Sequence, residues 1–210
     1  MDFLYCILIG YFIGTVNPSY IIAKIHGFDI REKGSRNAGA SNAVILLGKT
    51  IGILCALFDI AKTFFAIWLS QKLMPDFALA FSVTAVACSL GHIFPFYMKF
   101  KGGKGLACLG GMILAFDWRV FLIMLAIEIV VVLVSDYLCI VPLTASVVFP
   151  IVYGIMEKNL WGALMLLVIT AVIFYKHKNN LQRIKNGTEM HFSFLWNKDK
   201  EIERLKNNMK

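Results

Sequence analysis

The chain is poor in charge. Asp, Glu, Lys and Arg make up 16% of its 210 residues, where a soluble domain carries about 25%. Acid is the scarcer sign, 13 residues against 21 basic ones. Together with a hydrophobic content of 59%, this excludes an ordinary soluble domain. The cysteines Cys6, Cys55, Cys88, Cys108 and Cys139 stand singly in apolar stretches, with no CxxC and no Cys/His cluster. Neither a disulfide framework nor a zinc site is therefore indicated, and the thiols read as small apolar packing groups. The first apolar run has neither a basic leading segment nor a small-residue cleavage site, so it is expected to be a retained helix. No basic soluble domain exists to carry nucleic acid. The net charge of +8 is instead accounted for by topogenic lysines and a basic tail beside anionic lipid.

Long apolar runs are abundant. They predict an all-α, polytopic membrane bundle of about seven helices, at about 3–25, 50–72, 77–97, 105–116, 119–135, 138–156 and 160–175. A full crossing needs about 20 residues, so the fourth run is short for one and is extended by its flanks or partly re-entrant. Of the 21 Lys and Arg, all but Lys62, Lys72, Arg119 and Lys158 fall in the first, third and fifth loops, their borders and the tail. By the positive-inside rule this places the N-terminus outside and the C-terminus in the cytoplasm. Residues 1–190 are expected to form one membrane domain and 191–210 a solvated basic tail without a catalytic role. Asn17 and Pro18 are expected to kink the first span. Asp59 and Lys62, three apart in the second, read as a structural ion pair. Glu128 in the fifth has no evident partner.

Several chemistries lack their residues. The lysine of "FKGGKGLA" (100–107) is followed by Gly105 and Leu106, without the Ser or Thr that a Walker loop uses to hold magnesium. No H-x-x-x-x-D pattern and no G-x-S-x-G elbow occurs. Few carboxylates lie on the proposed cytoplasmic face, so neither a metal nor a cofactor is expected.

Three segments assigned to that face are rich in Gly, Asn, Ser and His: "GSRNAGASN" (34–42), "GHIFPFYMKFKGGKG" (91–105) and "KHKNNLQRIKNGTE" (176–189). In the first, Gly34 and Gly39 permit tight turns, while Ser35, Asn37, Ser41 and Asn42 offer caps and donors. Taken alone, an ordinary capped loop is the plainer reading, since Gly and Asn favour turns anyway. In the second, Gly102, Gly103 and Gly105 surround Lys104, a backbone able to curve round a phosphate with a mobile positive charge at its centre. In the third, His177, Asn180 and Arg183 recur every three residues and share a face if the last span continues as a helix. Taken alone, a basic juxtamembrane helix on lipid headgroups explains that segment equally.

Anion sites without a metal or strong nucleophile suit acyl transfer from an acyl phosphate. The mixed anhydride is already activated, and the protein needs mainly to position an acceptor hydroxyl and stabilise charge. The three segments, with "FDIAK" (58–62) in the second span, resemble the bacterial membrane acyl-phosphate:glycerol-3-phosphate acyltransferase family up to about Glu189. The resemblance implies a seven-helix enzyme of the bacterial inner membrane with a cytoplasmic active site. It implies acylation of the glycerol 3-phosphate 1-hydroxyl, giving lysophosphatidic acid and phosphate in phospholipid synthesis. It further implies that Ser35, Lys104, His177 and Asn180 form the acceptor-phosphate and catalytic pocket. Arg36, Asn37, Gly39, Asn42, His92, Gly102, Gly103, Gly105, Cys139 and Arg183 are implied to bind substrate. Three positions depart from the family pattern. Arg36 stands where Gly is usual, Ile45 where Arg is usual, and Cys139 where a serine aligns, with Pro142 also unusual. Two other readings remain open at this point: a relative with another acceptor or weakened activity, and a small-anion transporter.

Overall fold

The computed structural model describes residues 1–208. Six segments are long and apolar enough to cross a membrane, and a seventh apolar helix is shorter. The first crossing, Asp2–Ile25, is broken into α1 (Asp2–Thr15) and α2 (Pro18–Ile25). The break is the one expected at Asn17 and Pro18. Asn17 caps α2 by accepting the Tyr20 N–H at 2.9 Å. Pro18, at the first helical position, needs no N–H partner.

After α3 (Ala40–Leu47) come α4 (Lys49–Leu73) and α5 (Ala80–Ile93). Helix α5 is the axis of the bundle, with every residue but Leu90 buried. It lies against α1 through small residues. A Cβ at Gly14 would meet the Cys88 backbone, and one at Gly91 would meet the Tyr11 carbonyl. In lipid, where apolar surfaces gain little by meeting one another, such close backbone approach drives helix pairing.

Helix α6 (Leu106–Phe116) has 11 residues, about 16 Å at 1.5 Å per residue. That is about half the hydrocarbon thickness, so the short fourth run stays short. Gly111 seats it on α4, since a Cβ there would strike the Ile60 carbonyl. Helix α7 (Trp118–Ser135) buries only Met124, Glu128 and Val132, a stripe every four residues. Its other faces expose Leu122, Ile123, Ile127, Val130 and Leu133, as lipid contact requires. Glu128 does have a partner: Thr144 donates its hydroxyl to the carboxylate at 2.7 Å from α8 (Val141–Glu157).

Helix α9 (Leu160–Lys185) is the longest, at 26 residues. It runs well past the expected end near 175 and carries the whole His177–Arg183 stretch. Helix α10 (Lys198–Asn208) follows. The tail is not simply solvated. Phe192 N–H donates to the Asp136 carbonyl at 2.7 Å, and Ser193 Oγ donates to the Asp136 carboxylate at 2.7 Å. Residues 209 and 210 of the expected tail lie outside the described residues.

The polar segments share one end of the bundle. At the opposite end, Asn159 Nδ2 donates to the Ala78 carbonyl at 2.9 Å, tying two loops that lack the glycine-rich motifs. The main core, around Phe81, Phe149, Leu109, Leu166 and Ile173, lies between the two ends and holds the helices in register.

Candidate active site

Lys104 lies in the loop between α5 and α6. Its Nζ donates to Asn180 Oδ1 at 2.6 Å. Asn180 Nδ2 in turn donates to Glu189 Oε1 at 2.6 Å, and the second oxygen of that carboxylate accepts from Arg183 Nε at 2.6 Å. The Cys139 thiol is close enough to feel the Glu189 charge. Four of the expected residues, Lys104, Asn180, Arg183 and Cys139, thus meet around a carboxylate that the motifs did not assign a role. Only its place at the end of "KNGTE", six residues after Arg183, hinted at the pairing.

The helical spacing explains the arrangement. Three-residue steps on α9 put His177 and Asn180 on the buried face and leave Arg183 at its rim. His177 Nδ1 is 2.9 Å from the Ile173 carbonyl. A carbonyl only accepts, so Nδ1 carries the hydrogen and Nε2 of the neutral ring keeps its lone pair. Lys104, Glu189 and Lys176 are the nearby charges that act on this ring. Burial pushes the Lys104 ammonium below the ordinary lysine pKa; Arg183 adds to the shift and Glu189 opposes it. The pocket thus holds cations at a cost, which an incoming phosphate would relieve.

The glycine loop works differently from a simple cradle. The N–H groups of Gly102 and Gly103 are bonded to the carbonyls of Ile93 and His92, at 3.0 and 3.1 Å. They pin the loop to the end of α5 and are not open to a ligand. Gly105, at φ 91°, starts α6, whose first N–H groups have no partner within the helix and point back toward Lys104.

His92 sits behind this loop, covered by it. It is buried, and a Cβ on Gly103 would land on its Nε2. Its Nδ1 lies 3.1 Å from Lys62 Nζ and 3.4 Å from Asp59 Oδ1. The expected ion pair is present, with Lys62 Nζ 2.6 Å from Asp59 Oδ1. Lys62 also donates to the Val16 carbonyl at 2.6 Å, at the break between α1 and α2. The "FDIAK" motif therefore braces the glycine loop from beneath.

The first motif forms a separate wall. Asn42 was expected to touch substrate, but its amide is fully used by the backbone. Oδ1 accepts from Ser35 N–H at 2.8 Å, and Nδ2 donates to the Ile30 and Lys33 carbonyls at 2.8 and 3.1 Å. At 0% exposure, Asn42 shapes the loop that presents Ser35, Arg36 and Asn37. Asn17 does the same from α1–α2, donating to the Ala38 carbonyl at 2.8 Å. An Asn-Pro pair opening a helix was the only sequence signal for that role. Gly39 leaves room for the Asn37 amide, which a Cβ would meet at 2.7 Å. Ser35 and Arg36 are exposed. Arg36 has φ 56°, a left-handed conformation that explains why glycine suits the position. Ile45 is 53% exposed on α3 and has no charge to offer. Arg31 anchors the motif to the second segment, donating Nη1 to the Met98 carbonyl at 2.5 Å. Among the described residues, no hydrogen bond joins Ser35, Arg36 or Asn37 to Lys104 or His177, and no three His, Cys, Asp or Glu side chains are placed to hold a metal ion.

A family model described as "Glycerol-3-phosphate acyltransferase" matches residues 4–187. A glycerol-3-phosphate acyltransferase of Thermotoga petrophila is 36% identical over 87% of this chain and 92% of its own. The solved structure of PlsY, an integral membrane glycerol 3-phosphate acyltransferase in its glycerol 3-phosphate form, superposes with a TM-score of 0.85 at 30% identity. It covers 93% of this chain and 98% of that one. The same enzyme in its lysophosphatidic acid form gives a TM-score of 0.82 at 29% identity, covering 93% and 97%.

Proposed function

The chain belongs to the glycerol-3-phosphate acyltransferase family, and from that premise we propose that it transfers an acyl group from acyl phosphate to the 1-hydroxyl of glycerol 3-phosphate. The products are lysophosphatidic acid and inorganic phosphate. The observation that carries the proposal is the hydrogen bond from Lys104 in the glycine loop to Asn180 on α9, with buried His177 three residues earlier on the same helix.

The acceptor phosphate takes the place prepared by Lys104 and Asn180, with Ser35 closing it from the first motif. The acyl phosphate lies against Asn37, Gly39 and the start of α6 at Gly105, its chain running into the bilayer. Asn42, His92, Gly102 and Gly103 hold the shape of these walls. The acceptor oxygen attacks the acyl carbonyl carbon, the bond from that carbon to the phosphate oxygen breaks, and phosphate departs. The hydroxyl proton passes to a substrate phosphate oxygen. His177 Nε2 accepts a hydrogen bond from the neighbouring 2-hydroxyl of glycerol 3-phosphate and so orients the 1-hydroxyl for attack. Lys104 and the donors at the start of α6 stabilise the developing charge.

The distribution of Lys and Arg supports an N-terminus outside, a cytoplasmic C-terminus and a site facing the cytoplasm of a bacterial inner membrane. Residues 1–190 would be the catalytic unit and 191–210 an appended basic tail. The substrate classes separate in one assay on purified protein. Lysophosphatidic acid should form from acyl phosphate with glycerol 3-phosphate, while other polyol phosphates give none. Efficient use of another polyol phosphate would favour the divergent-acceptor reading suggested by Ile45 and Cys139. Anion movement across vesicles without acyl phosphate consumption would favour a transporter.

A further inference from the structure

The family match ends at residue 187, yet the chain beyond it returns to the site. Helix α10 carries Arg204, whose guanidinium makes four hydrogen bonds. Nε and Nη2 grip the Glu201 carboxylate at 2.9 and 2.6 Å. Nη1 donates to the Gly187 carbonyl and Nη2 to the Glu189 carbonyl, both at 2.6 Å. These two carbonyls belong to the turn that leaves α9. In that turn the Thr188 and Glu189 N–H groups both bond back to the Arg183 carbonyl, at 2.8 and 3.1 Å. The Glu189 side chain then reaches Asn180 and Arg183, and Asn180 reaches Lys104.

We infer that Arg204 is a positioning residue for acyl transfer, clamping the Gly187–Glu189 backbone so that Glu189 aims Asn180 and Arg183 at the acceptor phosphate. The inference rests on the reading of the site given above. A planar guanidinium suits the task because one group can grip a carboxylate bidentately while donating to two carbonyls. The clamp has its own second anchor. His191 N–H donates to Glu201 Oε1 at 2.8 Å, and His191 Nε2 lies 3.1 Å from the Tyr137 hydroxyl. Ser193 N–H donates to Asp136 Oδ1 at 2.7 Å. The tail is therefore tied both to the turn after α9 and to the turn before Cys139. Its bonds to Arg204 hold Glu201 at a pKa of about 2, so the clamp stays charged throughout the neutral range.

The experiment uses full-length protein in one membrane mimetic, with Arg204→Ala, Arg204→Lys, Glu189→Gln and the double variant Arg204→Ala/Glu189→Gln. Arg204→Ala should raise the KM for glycerol 3-phosphate about tenfold while kcat changes less. Arg204→Lys, which keeps the charge but not the fork, should fall between. In the Glu189→Gln background, removal of Arg204 should add little, because both act along one line. Glu203→Gln, exposed on the same helix, should leave KM unchanged. Amide exchange provides a readout independent of turnover: Thr188 and Glu189 should exchange faster in Arg204→Ala. An unchanged KM, an equal loss in the Glu189→Gln background, or an equal effect of Glu203→Gln would overturn the inference. Unchanged exchange at Thr188 and Glu189 would overturn it too, even if the wild-type protein proved to use different substrates. Wild-type protein that makes no lysophosphatidic acid, yet shows the exchange difference, would reject the acyl-transfer reading and leave the clamp standing.

Discussion

Lys104 and Asn180 are 76 residues apart in the chain and 2.6 Å apart in space. The contact joins the glycine loop to the last membrane helix, at the place proposed for the acceptor phosphate. Charged hydrogen bonds are worth about 1.5–3 kcal/mol, or about 10- to 150-fold in an equilibrium. Asn180→Ala should therefore raise the KM for glycerol 3-phosphate by at least about tenfold. Asn180→Asp should do so as well, since a carboxylate there repels phosphate. Steady-state kinetics with glycerol 3-phosphate varied at saturating acyl phosphate checks both.

Lys104 also sets an alkaline limit. Its folded pKa lies below the ordinary lysine value because burial disfavours the charge. Its ammonium is therefore lost at lower pH than that of a free lysine, and affinity for a dianionic phosphate falls as pH rises through that point. Bound phosphate restores the charge, so binding in this range takes up protons. The pH profile of KM should show an alkaline rise beginning below the usual lysine range, and Lys104→Arg, always charged, should remove it. A flat wild-type profile up to the ordinary lysine pKa would refute the assignment.

Asn42 is a test of scaffolding. Its amide bonds to Ser35 N–H and to the Ile30 and Lys33 carbonyls while wholly buried. Asn42→Ala leaves these groups unsatisfied and should destabilise the protein by about 1–3 kcal/mol. Asn42→Asp removes only the donor and leaves an acceptor facing two carbonyls. It should lower the thermal midpoint at least as far as Asn42→Ala does. A tolerant response in thermal unfolding would show that the loop is held otherwise.

Arg36 sets conformation against charge. A non-glycine residue in the left-handed region costs about 1–2 kcal/mol, and φ at Arg36 is 56°. Arg36→Gly should relieve that strain and raise the thermal midpoint by a few degrees, less the entropy that glycine adds to the unfolded chain. If the guanidinium replaces the charge missing at Ile45, both Arg36→Gly and Arg36→Ala should raise the KM for glycerol 3-phosphate strongly. An unchanged KM would remove Arg36 from the phosphate site.

Much of the fold was legible because lipid imposes simple rules. Apolar runs marked the crossings, the Asn17–Pro18 pair marked the break, and the spacing of Asp59 and Lys62 marked an ion pair. The length of α9 was less legible, because polarity increases after Tyr175 while the helix continues to Lys185. Family resemblance grouped Ser35, Lys104, His177 and Asn180, and the fold joins Lys104 to Asn180. The resemblance could not show that Asn42 turns inward to serve the backbone, or that the Gly102 and Gly103 N–H groups are already bonded. Those outcomes depend on which carbonyls tertiary packing brings near. Glu189 and Arg204 were hidden for the same reason: their partners lie across turns that no residue spacing reveals.

The central claim is that the pocket of Lys104, His177 and Asn180 performs acyl transfer to glycerol 3-phosphate. Purified protein given acyl phosphate and glycerol 3-phosphate should yield lysophosphatidic acid and phosphate in equal amounts. Lys104→Ala and His177→Ala, folded by the same thermal criterion, should lose at least about a hundredfold of that rate. Wild-type product at the level of the two variants, or folded variants as active as wild type, would contradict the account.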